Sequence, residues 1–341
     1  MTDPWPRGTM PAVLLTAPGR VERGEVPIPD PVPGEVLVRT RYVGLCGTDL
    51  ELLHGKATYV RDGRTTFPHV PGHEWWGEVV AADTGFVPGD AVVGHTMVTC
   101  GTCARCAVGR RQQCLRMAEV GLYGRAGAAA EYVRVPAHAL TRLPGALTVP
   151  SAVLVEPAVT VVEALTRAGC RAGERVAVVG TGTIGLLAVQ LAAWREAQVV
   201  AVGVDPAGLA LARRCGAAEA VGVAEAPGRS FDLVVEASGG IDAFGTAVRL
   251  TEDGGRIAVV GVSGAAEPVV AGDLVLRGIT VYGIQHGLDH YTETVALFAG
   301  GVFDGGPLVA AVLPAYDPGR AFDLLEHGRT GPPKVILGAQ W

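Results

Sequence analysis

The pattern of apolar and polar positions changes character once along the chain. Before about Pro150, short alternating runs such as Val36 to Val43 are separated by Pro- and Gly-rich turns, which predicts half-buried strands in a barrel-like, mostly β region. From Arg175 onward, short apolar runs alternate with Ala- and Leu-rich stretches, the rhythm of βαβ units around a parallel sheet. Strands are expected at 175–179, 199–202, 232–235 and 256–260, with crossover helices from Ile184 to Ala193 and from Leu209 to Cys215, where Gly216 stops the second. A further strand at 278–285 and a helix near 291–298 would close the sheet, and the Pro- and Gly-rich stretch from Gly305 is expected to return to the first region.

Composition narrows the class. A chain of 341 residues has room for about two domains, and 49% hydrophobic against 18% charged residues is the balance of a folded globular protein. The net charge of −6 and a pI near 5.8 present no basic face, so neither nucleic acid nor a membrane is expected as a partner. Met1 to Met10 hold no apolar stretch of signal-peptide length, and no later run approaches about 18 apolar residues, so the expected location is the cytoplasm. In a reducing compartment the seven cysteines point to metal rather than to a disulfide framework.

Four of them, Cys100, Cys103, Cys106 and Cys114, follow the spacing Cys-x2-Cys-x2-Cys-x7-Cys, with Gly101 and Gly109 in the intervening turns. Four thiolates without an open position describe a closed tetrahedral zinc site. An iron–sulfur cluster takes the same donors, although the Cys-Pro signature common to such clusters is missing. Upstream stand Gly44-Leu-Cys46-Gly-Thr48-Asp49 and Pro71-Gly72-His73-Glu74. One thiolate, one imidazole and one carboxylate leave a zinc position open to water or substrate, as a catalytic site requires.

These motifs, with the four-cysteine lobe and the downstream Glu156-Pro157, occur in the order and spacing of the medium-chain zinc-dependent alcohol dehydrogenases, and the chain resembles that family over nearly its whole length. Within it, Gly-His-Glu together with Glu-Pro resembles the polyol (sorbitol), threonine and glucose dehydrogenase branch. The resemblance implies an α/β protein with a GroES-like β-barrel catalytic domain and a Rossmann doubly wound parallel sheet. The implied domains are 1–155, carrying the structural zinc lobe, 156–300 for the dinucleotide and 301–341 returning to the catalytic domain. It implies one catalytic and one structural zinc per chain, with Cys46, His73 and Glu74 as ligands of the first. Glu156 either ligates directly, holds the metal's water or is a surface carboxylate. Thr48 matches the hydroxyl that takes the substrate's proton, or is a plain turn residue; Asp49 has the alternative of capping a helix at 50–53. Many relatives carry a relay histidine where this chain has Glu51, a residue also found there in the glucose dehydrogenase branch, and His54 is the available substitute.

Gly180-Thr-Gly182-Thr183-Ile184-Gly185 directly follows an expected strand and opens a helix, so its backbone can approach a pyrophosphate seated on the helix N-terminus. Alignment with the family places Gly203 at the usual acidic position and Asp205 two residues later. Gly203 leaves room for a 2′-phosphate, whereas the charge of Asp205 would repel one, and the balance favours NAD over NADP. Gln285 and His286 occupy the stretch where the polyol branch carries an arginine against substrate hydroxyls, so they are candidate substrate contacts; His286 has the alternative of a solvent-exposed loop or subunit contact. Trp75 and Trp76 are read as core packing, and Cys170 and Cys215 as buried thiols.

The expected chemistry is hydride transfer between a small hydroxylated substrate, a secondary alcohol on a sugar, cyclitol or other polyol, and a nicotinamide dinucleotide. The rival readings are an NADPH-dependent zinc carbonyl reductase and a zinc-ribbon interaction module on an inactive dehydrogenase fold. The family resemblance implies a homodimer or homotetramer.

Overall fold

The computed structural model describes residues 5–262, 266–328 and 330–341. The chain divides into two compact units, one formed by 1–156, 309–329 and 334–341, the other by 157–308 and 330–333.

The first unit is built on a seven-stranded sheet. Its strands include Glu35–Leu45, Glu74–Ala82, Ala91–Gly94, Tyr132–Pro136 and Leu140–Arg142, joined by Val309–Pro314 and Lys334–Gly338 from late in the chain. Glu35–Leu45 pairs antiparallel with Glu74–Ala82, Tyr132–Pro136 and Lys334–Gly338. The alternation at 36–43 predicts a half-buried strand; the structure makes it a central one. Val36, Leu37, Val38 and Val43 are all fully buried, because register irregularities at Leu37/Val38 and Thr40/Tyr42 bend the strand inside its ladder. Trp75 and Trp76 are buried on the neighbouring strand, Trp76 donating its indole N–H to the Val149 carbonyl at 2.9 Å. A small three-stranded sheet, Met97–Val98 with Ala118–Val120 and Gly124–Arg125, flanks the four-cysteine stretch.

Among the described residues the second unit holds six strands, all parallel. In chain order they are Arg175–Val179, Gln198–Gly203, Glu219–Gly222, Phe231–Glu236, Thr251–Val259 and Thr280–Gly283, and their order across the sheet is third, second, first, fourth, fifth, sixth. That arrangement reverses direction beside the first strand, which is where a doubly wound sheet binds its ligand. Near-continuous runs such as Val199-Val-Ala-Val are buried on both faces, as a parallel sheet covered by helices demands. The strand Glu219–Gly222 was not expected from the sequence. Its four residues, Glu-Ala-Val-Gly, carry a single β-branched side chain and take their structure from pairing with Gln198–Gly203. Cys170 and Cys215 are half-buried rather than buried: Cys215 closes the helix Pro206–Arg214, and burial raises both thiols above the usual range. No described helix is long and apolar enough to cross a membrane.

Phe231 is fully buried in the core of this second unit, with the Arg175 guanidinium 5.0 Å from its ring centre. Phe231→Ala is expected to cost about 3–5 kcal/mol of unfolding free energy, read by urea unfolding followed by circular dichroism at fixed zinc concentration. A loss under about 1 kcal/mol would show that the ring does not anchor this core.

Candidate active site

Sheet register brings together residues that lie far apart in sequence. Gly44 pairs with Glu74 across the antiparallel ladder. Cys46, just beyond the end of its strand, therefore faces the entry to the neighbouring one, where His73 and Glu74 lie. Gly72 has φ +98, and a Cβ there would stand 2.8 Å from Val43 Cγ1 and 2.9 Å from the Ala129 backbone nitrogen, so only glycine fits at this approach. One donor atom each from Cys46, His73 and Glu74 lies within 4.8 Å of the others. Thiolate, imidazole and carboxylate form a donor set that suits zinc and leaves a fourth position open.

Asp49 supports this trio from within the helix Gly47–Leu53. It is fully buried, accepts the Cys46 backbone N–H at 2.9 Å and stands 3.5 Å from His73 Nδ1. One carboxylate thus caps the helix from its third position and places its other oxygen behind the imidazole. Burial alone would drive the His73 ring toward neutrality, but Asp49 and the Cys46 sulfur outweigh it and hold the ring well above the usual histidine range. A metal taken up here must therefore displace a proton.

Glu156 opens the helix Val155–Arg167 and is buried, its Oε1 accepting from the Thr96 hydroxyl at 2.5 Å. It does not join the close trio, although its charge acts on the Glu74 carboxylate. Thr48 Oγ1 lies 3.9 Å from Cys46 Sγ. Glu51 is exposed, and the His54 ring pairs with Glu326 at 2.9 Å, a partner supplied by the late helix Pro318–His327. Lys334, which no motif signals, is buried with its ammonium 2.5 Å from Glu74 Oε2 and 3.2 Å from the Leu45 carbonyl.

The sulfurs of Cys100, Cys103, Cys106 and Cys114 also lie within 4.8 Å of one another. Backbone N–H groups of Cys100 and Arg116 point at Cys114 Sγ from 3.3 and 3.4 Å. Donation from the Thr102 backbone is the largest influence drawing the Cys100 thiol down to about 5, whereas burial pushes Cys106 up to about 11. Cys103 is likewise drawn below the usual range by backbone donation, so two of the four thiols are shifted in the direction that favours metal uptake.

In the second unit, Gly180 to Gly182 turn the chain from the strand Arg175–Val179 into the helix Thr183–Trp194, with Gly182 at the N-cap. A Cβ on Gly185 would stand 1.9 Å from the Gly180 carbonyl oxygen, so the helix can close on the strand only with glycine there. Ile184 lies in the first turn of that helix. Glu236, also unannounced by any motif, is buried at the end of its strand. It accepts from the Ser238 N–H and hydroxyl, both at 2.8 Å, and from the Gly239 N–H at 2.9 Å; this turn lies against Gly180. Asp205 caps the helix Pro206–Arg214, taking the Ala207 and Gly208 N–H groups at 3.2 and 2.9 Å. Gln285 is exposed, whereas His286 is buried with its ring 6.1 Å from that of Tyr291, not on a solvent-exposed loop.

A parallel sheet with a glycine turn at its reversal point, together with an open thiolate–imidazole–carboxylate trio and a closed four-thiolate lobe, defines a zinc- and dinucleotide-dependent oxidoreductase. Comparison with known proteins agrees. Residues 32–145 match the alcohol dehydrogenase GroES-like domain and residues 183–300 the zinc-binding dehydrogenase domain. An L-threonine 3-dehydrogenase of Bacillus velezensis is 31% identical over 332 residues, covering 92% of this chain and 94% of that protein. Among solved structures, an alcohol dehydrogenase from Thermus sp. ATN1 superimposes with a TM-score of 0.87 at 30% identity, covering 96% of this chain and 99% of its own. A Sinorhizobium meliloti 1021 chain solved bound to NADP gives 0.89 at 29% identity, covering 97% and 99%. The chain belongs to the medium-chain zinc-dependent alcohol dehydrogenase family. It is an NAD(P)-dependent alcohol dehydrogenase acting on CH–OH donors.

Gly185→Val is expected to abolish dinucleotide binding, read by NADH fluorescence titration, while zinc content stays unchanged; retained binding would remove the turn from the cofactor site. Zinc uptake by the metal-free protein should release protons, and the affinity of the Cys46 site should rise from about pH 6 to about pH 8. An affinity independent of pH there would contradict a protonated His73.

Proposed function

We propose that Cys46, His73 and Glu74 hold the catalytic zinc, that the four clustered cysteines hold a structural one, and that the enzyme oxidises a secondary alcohol with NAD. The observation that carries this reading is the convergence of three unlike donors on one point, with Asp49 behind the histidine. Bound zinc supplies a Lewis acid that lowers the pKa of the substrate hydroxyl, and bound nicotinamide supplies the hydride acceptor. Thr48, beside Cys46, accepts the hydroxyl proton. Glu51 and His54 carry it outward, with Glu326 fixing the His54 ring. Glu156, its Oε1 engaged by Thr96, adds negative charge next to the trio rather than a further ligand.

Gly180, Gly182, Thr183, Ile184 and Gly185 receive the pyrophosphate at the helix N-terminus. The preference for NAD rests on Asp205, whose charge at the end of the second strand opposes a 2′-phosphate, while Arg213 is turned away to the Ala220 carbonyl at 2.5 Å. Substrate contacts are assigned to Gln285 and His286. The relatives named for L-threonine add the hydroxyl of a small amino acid to the polyols as a substrate to test. A homodimer or homotetramer is supported by the outer strand Thr280–Gly283, whose far edge pairs with no described strand, and by the exposed Val275 and Leu276 nearby.

Elemental analysis should find about two zinc ions per chain, and NADH should bind more tightly than NADPH. Cys46→Ser should abolish turnover of L-threonine or polyols and leave NADH binding intact; a Cys46→Ser enzyme that still turns over would sink the assignment.

A further inference from the structure

Lys334 begins the strand Lys334–Gly338 and is 2% exposed. Both partners of its ammonium belong to the metal-binding neighbourhood. The Leu45 carbonyl, at 3.2 Å, immediately precedes Cys46, and Glu74 Oε2, at 2.5 Å, immediately follows His73. Burying an ammonium is costly, and a buried ion pair is a weak way to gain stability, since an apolar pair of similar volume often does as well. The position of this pair gives it another use. A metal in the trio and the lysine ammonium are both cations that draw on the same carboxylate. With Oε2 engaged by Lys334, Glu74 is biased toward offering one oxygen rather than two.

We propose that Lys334 is a positioning residue that competes with the metal for Glu74, restricting it to a weakened single-oxygen contact and so setting how firmly the site keeps its metal. The proposal rests on the reading of Cys46, His73 and Glu74 as metal ligands. It goes beyond that reading by placing control of the metal outside the ligand set, on a residue that enters the sheet from late in the chain.

The test is the rate at which the zinc-loaded enzyme gives up metal to an excess of a coloured chelator, the phase from this site being identified by its loss in Cys46→Ser. Lys334→Met removes both the competition and the like-charge repulsion. It should slow that phase by about tenfold or more without altering the four-cysteine phase, whereas Lys334→Arg, which keeps the charge, should stay within about threefold of the wild type. Unchanged or faster release in Lys334→Met overturns the proposal. If Lys334→Met does not fold, wild-type enzyme carrying cobalt at the Cys46 site decides the matter by X-ray absorption. Glu74 bound through one oxygen supports the proposal, and binding through both overturns it. A wild-type enzyme with no Cys46-dependent phase overturns the site reading itself, and this inference with it.

Discussion

The antiparallel pairing of Glu35–Leu45 with Glu74–Ala82 is the constraint from which the convergence of Cys46, His73 and Glu74 follows. Because Gly44 sits opposite Glu74, the residues just past the end of one strand meet those at the start of the other, and three donors converge, Glu74 on a strand and Cys46 and His73 close beside a strand end. A slip of one residue would turn Glu74 to the other face of the sheet, away from Cys46 and His73. The register is held by the apolar faces on either side, where Val43 and Trp75 are both fully buried. Packing far from any chemistry thereby fixes the donor atoms within 4.8 Å of one another.

Around that constraint the unit buries several ionisable groups. Asp49, His73, Glu74, Glu156 and Lys334 are all among its buried residues. Four of them have a hydrogen-bonded partner: Asp49 the Cys46 N–H, Glu74 and Lys334 each other, and Glu156 the Thr96 hydroxyl. Such a network is tolerable in a low-dielectric interior only when its members offset one another. A divalent cation added to it finds carboxylates already in place and one ammonium opposed to it.

Much of the fold was legible because its signals are local. The alternation of apolar runs with Ala- and Leu-rich stretches from Arg175 marks a parallel sheet, and a glycine turn between strand and helix marks its reversal point. Cys46, His73, Glu74 and the four cysteines stand out by residue type and spacing. What stayed hidden depends on pairing over distance. Lys334 is separated from Glu74 by 260 positions, and Glu236 acts through a turn that resembles any other in sequence. Asp49 could be read as a helix cap, and in the structure the same carboxylate caps the helix and stands 3.5 Å from His73. The strand 36–43 looked half-buried because alternation reports one sheet face, while curvature covers both.

The order of segments also has a consequence for how the protein comes off the ribosome. The first unit is discontinuous: its strands Val309–Pro314 and Lys334–Gly338 are made only after residues 157–308 of the second unit. Until then only the Tyr42–Leu45 end of the strand Glu35–Leu45 lacks its neighbour on one side, since Glu35–Arg39 already has Tyr132–Pro136, and Glu74 lacks its ammonium. The second unit, nearly continuous in sequence, can complete its sheet first. The unit that carries Cys46, His73 and Glu74 thus waits, with those residues already synthesised, for the strand that carries Lys334.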